Sequence, residues 1–263
     1  MTTNQEKVKE HYSRSYKEDT RATESRSSSL EFHYAKKLLG NYINNYSNVI
    51  EIGCGTGYYG MYFADKCSHY TGVDLTQANI DDFNQKIDEA GIKNISTMVG
   101  DATDLNQVPD GFYDVVLCLG PLYHVSLDEH DKVFAECYRI AKSGAVLAFA
   151  YQNRLGVYAG ACVNWPEVYP NAETNRYVFE LDTSDDRPGL FYFTSPEEIE
   201  EHARKINLEV SKNCGLSFFF AMNVINQMDD EKLACFMEIA DRMYESPSCT
   251  GLANHALMIC KKT

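Results

Sequence analysis

The chain has 263 residues, 44% of them hydrophobic, enough for one large domain or two small ones and too apolar for disorder throughout. Its formal net charge of −14, from 38 acidic against 24 basic residues, opposes nucleic-acid and anionic membrane partners, and the basic pairs Lys36-Lys37 and Arg204-Lys205 are short. Nine cysteines with no C-x-x-C pair, an N-terminus without an apolar signal core and the lack of any run near the ~18 apolar residues of a membrane span together read as a soluble, cytoplasmic, reduced protein.

In chain order, KVKEHYSRSYKEDTRA (7–22) reads as a helix outside the sheet and the polar TESRSSSLE (23–31) as a mobile hinge, so residues 1–30 form an N-terminal cap. From 47 to 151, apolar runs bounded by turn residues alternate with i, i+3, i+4 patterns. Strands are expected at 47–52, 70–74, 95–99, 113–119 and 144–151, and helices around 57–67, 77–90 and 128–142. That is a chain of βα units, hence a mostly parallel sheet with helices on both faces, over a core domain of residues 31–151.

Residues 152–193, rich in Tyr, Asn, Pro and Gly, are too long for an ordinary connection and read as a substrate-covering insertion. In TSPEEIEEHARKI, Ser195 is an N-cap, Pro196 the first helical residue and Glu198 the closing member of a capping box. Strands at 208–214 and 254–262 and a helix at 230–245, with Leu233, Phe236, Met237, Ala240 and Met243 on one core-facing stripe, complete residues 194–263 as the last part of the same catalytic domain.

The loop after the first strand carries the functional signal. VIEIGCGTGYYG (49–60) alternates Gly53, Gly55 and Gly57 behind a carboxylate, Glu51. GTGYYG also fits the dinucleotide pattern G-x-G-x-x-G, but a turn starting at Gly53 would need its third glycine where Tyr58 stands. Glu51 would also face a pyrophosphate, whereas a cationic amino-acid end would be welcome there. Asp74, at the tip of strand two, is placed to grip the ribose hydroxyls of an adenosine, as found in both NAD and S-adenosylmethionine. In GDATDL (100–105), Asp101 is a candidate acceptor for the adenine amino group and Ala102 offers its backbone N–H to a ring nitrogen.

EIGCGTG, VD, GDAT and YDVVLCLGPLYHV together resemble the class I S-adenosylmethionine-dependent methyltransferases, and LGPLYHV resembles a bacterial small-molecule-type branch with a GPLYH motif after strand four. The likeness extends to YSRSYKEDTRA, FYFTSPEEIEEHA and GLANHALMICKK. It implies a Rossmann-like α/β fold with a seven-stranded sheet, an N-terminal cap helix and an insertion after strand five. It implies S-adenosylmethionine as cofactor, S-adenosylhomocysteine as product, and a small-molecule acceptor. Glu51, Gly53 and Gly55 would line the methionine end, Asp74 the ribose, and Asp101 and Ala102 the adenine, with the Leu119 carbonyl near the methionine ammonium. Tyr58 and Tyr59 depart from the small residues often found after that first motif, a change that bears on the acceptor rather than the cofactor.

In the cap helix, Tyr16 and Arg21 are candidates to close over the cofactor. His124 is the candidate general base, and Tyr123, Tyr151 and Trp165 are the candidate substrate contacts. No metal is required, since a sulfonium is already an activated methyl donor. An NAD(P)-dependent oxidoreductase and a non-catalytic protein that binds S-adenosylmethionine remain as alternatives.

Overall fold

The computed structural model describes residues 4–14, 18–218 and 221–263. Three helices come first, α1 (Asn4–Arg14), α2 (Glu18–Glu24) and α3 (Arg26–Leu39). Then follow β1 (Asn48–Ile52), α4 (Tyr58–Phe63), β2 (His69–Asp74), α5 (Gln77–Ala90), β3 (Ile95–Val99), β4 (Tyr113–Cys118), α6 (His130–Ile140) and β5 (Ala141–Gln152). The remainder is α7 (Arg154–Asn164), α8 (Ala172–Phe179), α9 (Pro196–Lys205), β6 (Leu208–Gly215), α10 (Met222–Gln227), α11 (Asp230–Met243), α12 (Pro247–Leu252) and β7 (His255–Lys262).

The seven strands lie in the order β3-β2-β1-β4-β5-β7-β6, with β7 antiparallel to both its neighbours. Parallel strands buried on both faces need near-continuous apolar runs, and β1 and β4 supply them: Val49, Ile50, Val116, Leu117 and Cys118 are fully buried. Two apolar clusters, one on each face, carry the core. The chain reverses its order between β1 and β4, the switch point beyond which open α/β sheets hold ligands.

Ser195 and Glu198 form the expected capping box, with Pro196 in the first turn. Residues 23–31 differ from their reading as a hinge. Ser25 is an N-cap whose hydroxyl accepts from the Ser28 N–H, and the run continues into α3, burying Leu30. A row of serines looks like a linker in composition, yet serine is also a preferred N-cap. The helix α3, absent from the sequence expectation, buries Phe32, Tyr34, Ala35, Leu38 and Leu39 against the sheet.

The insertion folds as α7 and α8 with an extended return. Arg154 anchors it, pairing with Asp182 at 2.5 Å and Glu198 at 3.2 Å. On α11, only Ala240 of the predicted stripe is fully buried; Leu233, Phe236 and Met237 pack half-buried against the core and Met243 is exposed.

Candidate functional site

Beyond the carboxyl ends of β1, β2 and β4 lies a cleft enclosing about 1010 Å³ of space that opens to solvent. Its floor is the turn after β1. Gly53, at φ +79°, lies so close to the loop after β4 that a Cβ there would stand 2.7 Å from Pro121 Cδ. Gly57, at φ +87°, would place a Cβ 2.1 Å from the buried ring of Phe83. Both therefore combine a left-handed backbone with a close approach that only glycine allows.

Asp74 braces this turn. Its Oδ2 accepts from the Gly55 N–H at 2.9 Å, and its Oδ1 accepts from the Thr76 N–H at 2.8 Å and from Asn79 Nδ2 at 3.0 Å. Burial pushes its pKa up, and those donors pull the other way. Three of the roughly four acceptor positions of a carboxylate are thus filled by the chain itself. Glu51, buried, accepts from the Tyr70 hydroxyl at 2.6 Å. Asp101 accepts from the Thr103 N–H and hydroxyl, each at 2.9 Å, and from the Gln5 side chain.

The cleft brings together Glu51, Gly53, Gly55, Asp74, Asp101, Ala102, Leu119, Tyr123 and His124, nine of the thirteen residues singled out from the sequence. The other four fall elsewhere. Tyr16 lies outside the described residues. Arg21 is drawn away by an ion pair with Glu31 and lines a second cavity. Tyr151 is a core residue, 1% exposed, whose hydroxyl donates to Asn213 Oδ1 at 2.8 Å. Trp165, at the end of α7, is 45% exposed and does not line the cleft.

The lid comes instead from α1, one face of which presents Gln5, Val8 and Tyr12 to the cleft. Their i, i+3, i+7 spacing puts them on one helix face, but nothing in the sequence says what that face covers. Tyr58 and Tyr59 also line this cleft.

His124 is a junction of three segments. Its Nδ1 lies 2.9 Å from the Leu190 carbonyl, which can only accept, so Nδ1 carries the proton and Nε2 accepts from the Tyr12 hydroxyl at 2.7 Å. Asn4 Nδ2 donates to the His124 carbonyl at 3.1 Å, and the Tyr192 N–H donates to the Tyr123 carbonyl at 2.9 Å. The lid helix, the loop after β4 and the return of the insertion thus meet on one imidazole. Burial lowers its pKa to about 4, against the opposing pull of the Leu190 carbonyl, so it is neutral at physiological pH. The Tyr123 hydroxyl donates to the Leu119 carbonyl at 3.0 Å, holding the oxygen expected near the methionine ammonium.

Among the described residues lining the cleft, three carboxylates, Glu51, Asp74 and Asp101, face no lysine or arginine. The site therefore favours a ligand with a cationic centre over one with a pyrophosphate. Apolar surface for a flat ring comes from Val8, Ile52, Leu75, Ala102 and Val125. These features fit an adenosyl sulfonium ligand. Among the described residues, no group of three or more His, Cys, Asp or Glu side chains is placed to hold a metal ion, and no helix is long and apolar enough to cross a membrane.

Residues 49–144 match a family model described as a methyltransferase domain. A ubiquinone biosynthesis O-methyltransferase of Maricaulis maris is 34% identical over 106 residues, covering 40% of this chain and 41% of that protein. An uncharacterized protein of Rickettsia prowazekii is 27% identical over 114 residues, covering 42% of this chain and 20% of that protein. The matches to these two relatives thus span less than half of either one's length. The geranyl diphosphate C-methyltransferase of Streptomyces coelicolor has the same fold, with a TM-score of 0.63 at 13% identity over 100% of this chain and 99% of that one. Residues 49–144 thus match a methyltransferase domain, in a chain that shares the fold of that C-methyltransferase throughout.

Proposed function

We propose that the chain transfers a methyl group from S-adenosylmethionine to a small-molecule acceptor, by in-line displacement, in the reducing cytosol. The observation that carries this reading is the cleft's charge: three carboxylates, no lysine or arginine among its described lining residues, and a glycine turn next to Glu51. The bound donor supplies a methyl already activated on a sulfonium. The protein's part is to hold the acceptor behind that methyl and keep water out.

Ribose hydroxyls would meet Asp74 and adenine the Asp101–Ala102 turn, under a lid made of Gln5, Val8 and Tyr12. The same charge argues against the dinucleotide alternative, since a pyrophosphate at the glycine turn would meet Glu51 with no lysine or arginine among the described lining residues to balance it. Relatives named for quinone biosynthesis support a small organic acceptor over a polymer. The formal charge of −14 agrees with that choice.

His124 serves position rather than proton removal in this reading. An imidazole with a pKa of about 4 is a weak base at neutral pH. What it does is fix the Tyr12 hydroxyl and so the lid. His124→Gln is expected to lower kcat by less than about 10-fold and to raise the acceptor's KM. Loss of kcat by about 10²–10⁴ with unchanged KM would instead make it the general base.

Catalysis itself is tested by incubating the full chain with S-adenosylmethionine and a panel of phenols, quinols, amines and thiols, following S-adenosylhomocysteine. Acceptor-dependent product is expected. Tight cofactor binding with no turnover on any member would favour a non-catalytic binder.

A further inference from the structure

The two oxygens of Asp101 are used differently. Oδ1 receives both the N–H and the hydroxyl of Thr103, each at 2.9 Å, and so is fixed by its own turn. Oδ2 receives, among the described residues, only the side-chain amide of Gln5, 96 positions away on α1. A carboxylate can only accept, so Gln5 must turn its N–H₂ to Asp101, which leaves Gln5 Oε1 without a donor among the described residues. Both residues line the cleft.

This contact is not what seats the lid. The helix α1 is held by Val8, which is buried, by the Tyr12 hydroxyl on His124 Nε2, by Asn4 on the His124 carbonyl and by Lys7 Nζ on the Pro188 carbonyl at 3.1 Å. Gln5 itself is exposed, where a hydrogen bond exchanges with water and adds little to stability. What the contact does is set two acceptors side by side. Amide geometry keeps Gln5 Oε1 within about 5 Å of Asp101 Oδ2, the spread of two hydrogen bonds that diverge from one amino nitrogen.

The exocyclic amino group of adenine carries two hydrogens and matches that pair. Hypoxanthine and guanine carry a carbonyl oxygen at the same place, an acceptor set against two acceptors. Turning the Gln5 amide over to meet that oxygen would press its own oxygen against the Asp101 carboxylate. We infer that Gln5 is a specificity-determining residue for the cofactor: oriented by Asp101, it takes the second hydrogen of the adenine amino group, so that the lid helix reads the base it covers. This inference rests on the proposed seat of adenine at the Asp101–Ala102 turn.

The test is calorimetric titration of the full chain, wild type and Gln5→Met, with S-adenosylhomocysteine and with S-inosylhomocysteine, whose base carries an oxygen in place of the amino group. Methionine keeps the length of the side chain and removes its hydrogen-bonding groups. The wild type should prefer the adenosyl ligand by at least about 30-fold, since the inosyl ligand leaves acceptors facing an acceptor. In Gln5→Met that preference should shrink by about five- to tenfold, through weaker binding of S-adenosylhomocysteine, with the inosyl ligand no weaker than twofold below its wild-type affinity. A residue that merely steadies the lid would weaken both ligands alike when replaced, so an unchanged ratio in the variant would overturn the inference. Equal affinity of the wild type for the two ligands would overturn it as well. Failure of the wild type to bind S-adenosylhomocysteine at all is a different result: it contradicts the reading of the cleft and removes the inference with it.

Discussion

Replacing Asp74 with Asn is expected to weaken S-adenosylhomocysteine binding by about 10–100-fold, the loss of a charge-assisted pair worth about 1.5–3 kcal/mol. The same substitution should also cost stability, on the order of 1–3 kcal/mol, because Asn can accept on only one side. Its amide N–H₂ would face either the Gly55 N–H or the Thr76 and Asn79 donors that Asp74 now receives. From the sequence alone the residue reads as a ligand contact at a strand tip. In the structure it is also the brace of the glycine turn, so affinity could fall through a distorted loop. Calorimetry with 2′-deoxy-S-adenosylhomocysteine separates the two: the missing hydroxyl should cost the wild type affinity and cost Asp74→Asn nothing further. An affinity for the parent ligand that is unchanged in the folded variant would remove Asp74 from the ribose.

Acidification should begin to destabilise the protein near pH 6.5, above the range in which most of its carboxylates titrate. Burial holds both His124 and His130 at a pKa of about 4, against 6.5 for the unfolded chain. His130 is 1% exposed, with its Nε2 against the Leu122 carbonyl at 2.8 Å. A folded pKa below the unfolded one means that the unfolded chain binds more protons between the two values. Stability is therefore full above about pH 6.5 and is lost as pH falls toward 4. At pH 4.5 each histidine contributes a loss of about 2–3 kcal/mol, at 1.36 kcal/mol per pH unit, or about 5 kcal/mol together. That is the size of a small domain's whole stability. Urea denaturation midpoints measured from pH 7.5 to 4.5 should fall steeply below pH 6.5, and the double variant His124→Gln, His130→Gln should show a flatter profile. A wild-type midpoint that is level over that range would contradict the burial argument.

How much of this was legible in the sequence follows from the physics of each part. All seven strands were readable, because buried parallel strands must be apolar runs and turns must punctuate them. The glycine turn and the acids at the tips of β1 and β2 were readable because strand ends place their residues at the ligand edge by topology alone. What failed depends on which distant segments meet. Nothing local marks Tyr151 as core or sends Trp165 to the surface; the first is decided by packing against β6, the second by where α7 ends. Arg21 was a reasonable cofactor contact until Glu31, ten residues on, claimed it. The serine-rich stretch was misjudged because cap and linker share a composition. The lid face of α1 and the junction at His124 join residues more than a hundred positions apart, and no periodicity carries that information.

The central claim is that the glycine turn and its acids hold an adenosyl sulfonium ligand and reject a dinucleotide. Isothermal titration of the full chain with S-adenosylhomocysteine and, separately, with NADH tests it directly. S-adenosylhomocysteine should bind at one site per chain and NADH should give no heat of binding at the same concentrations. Saturable binding of NADH with none of S-adenosylhomocysteine would contradict it.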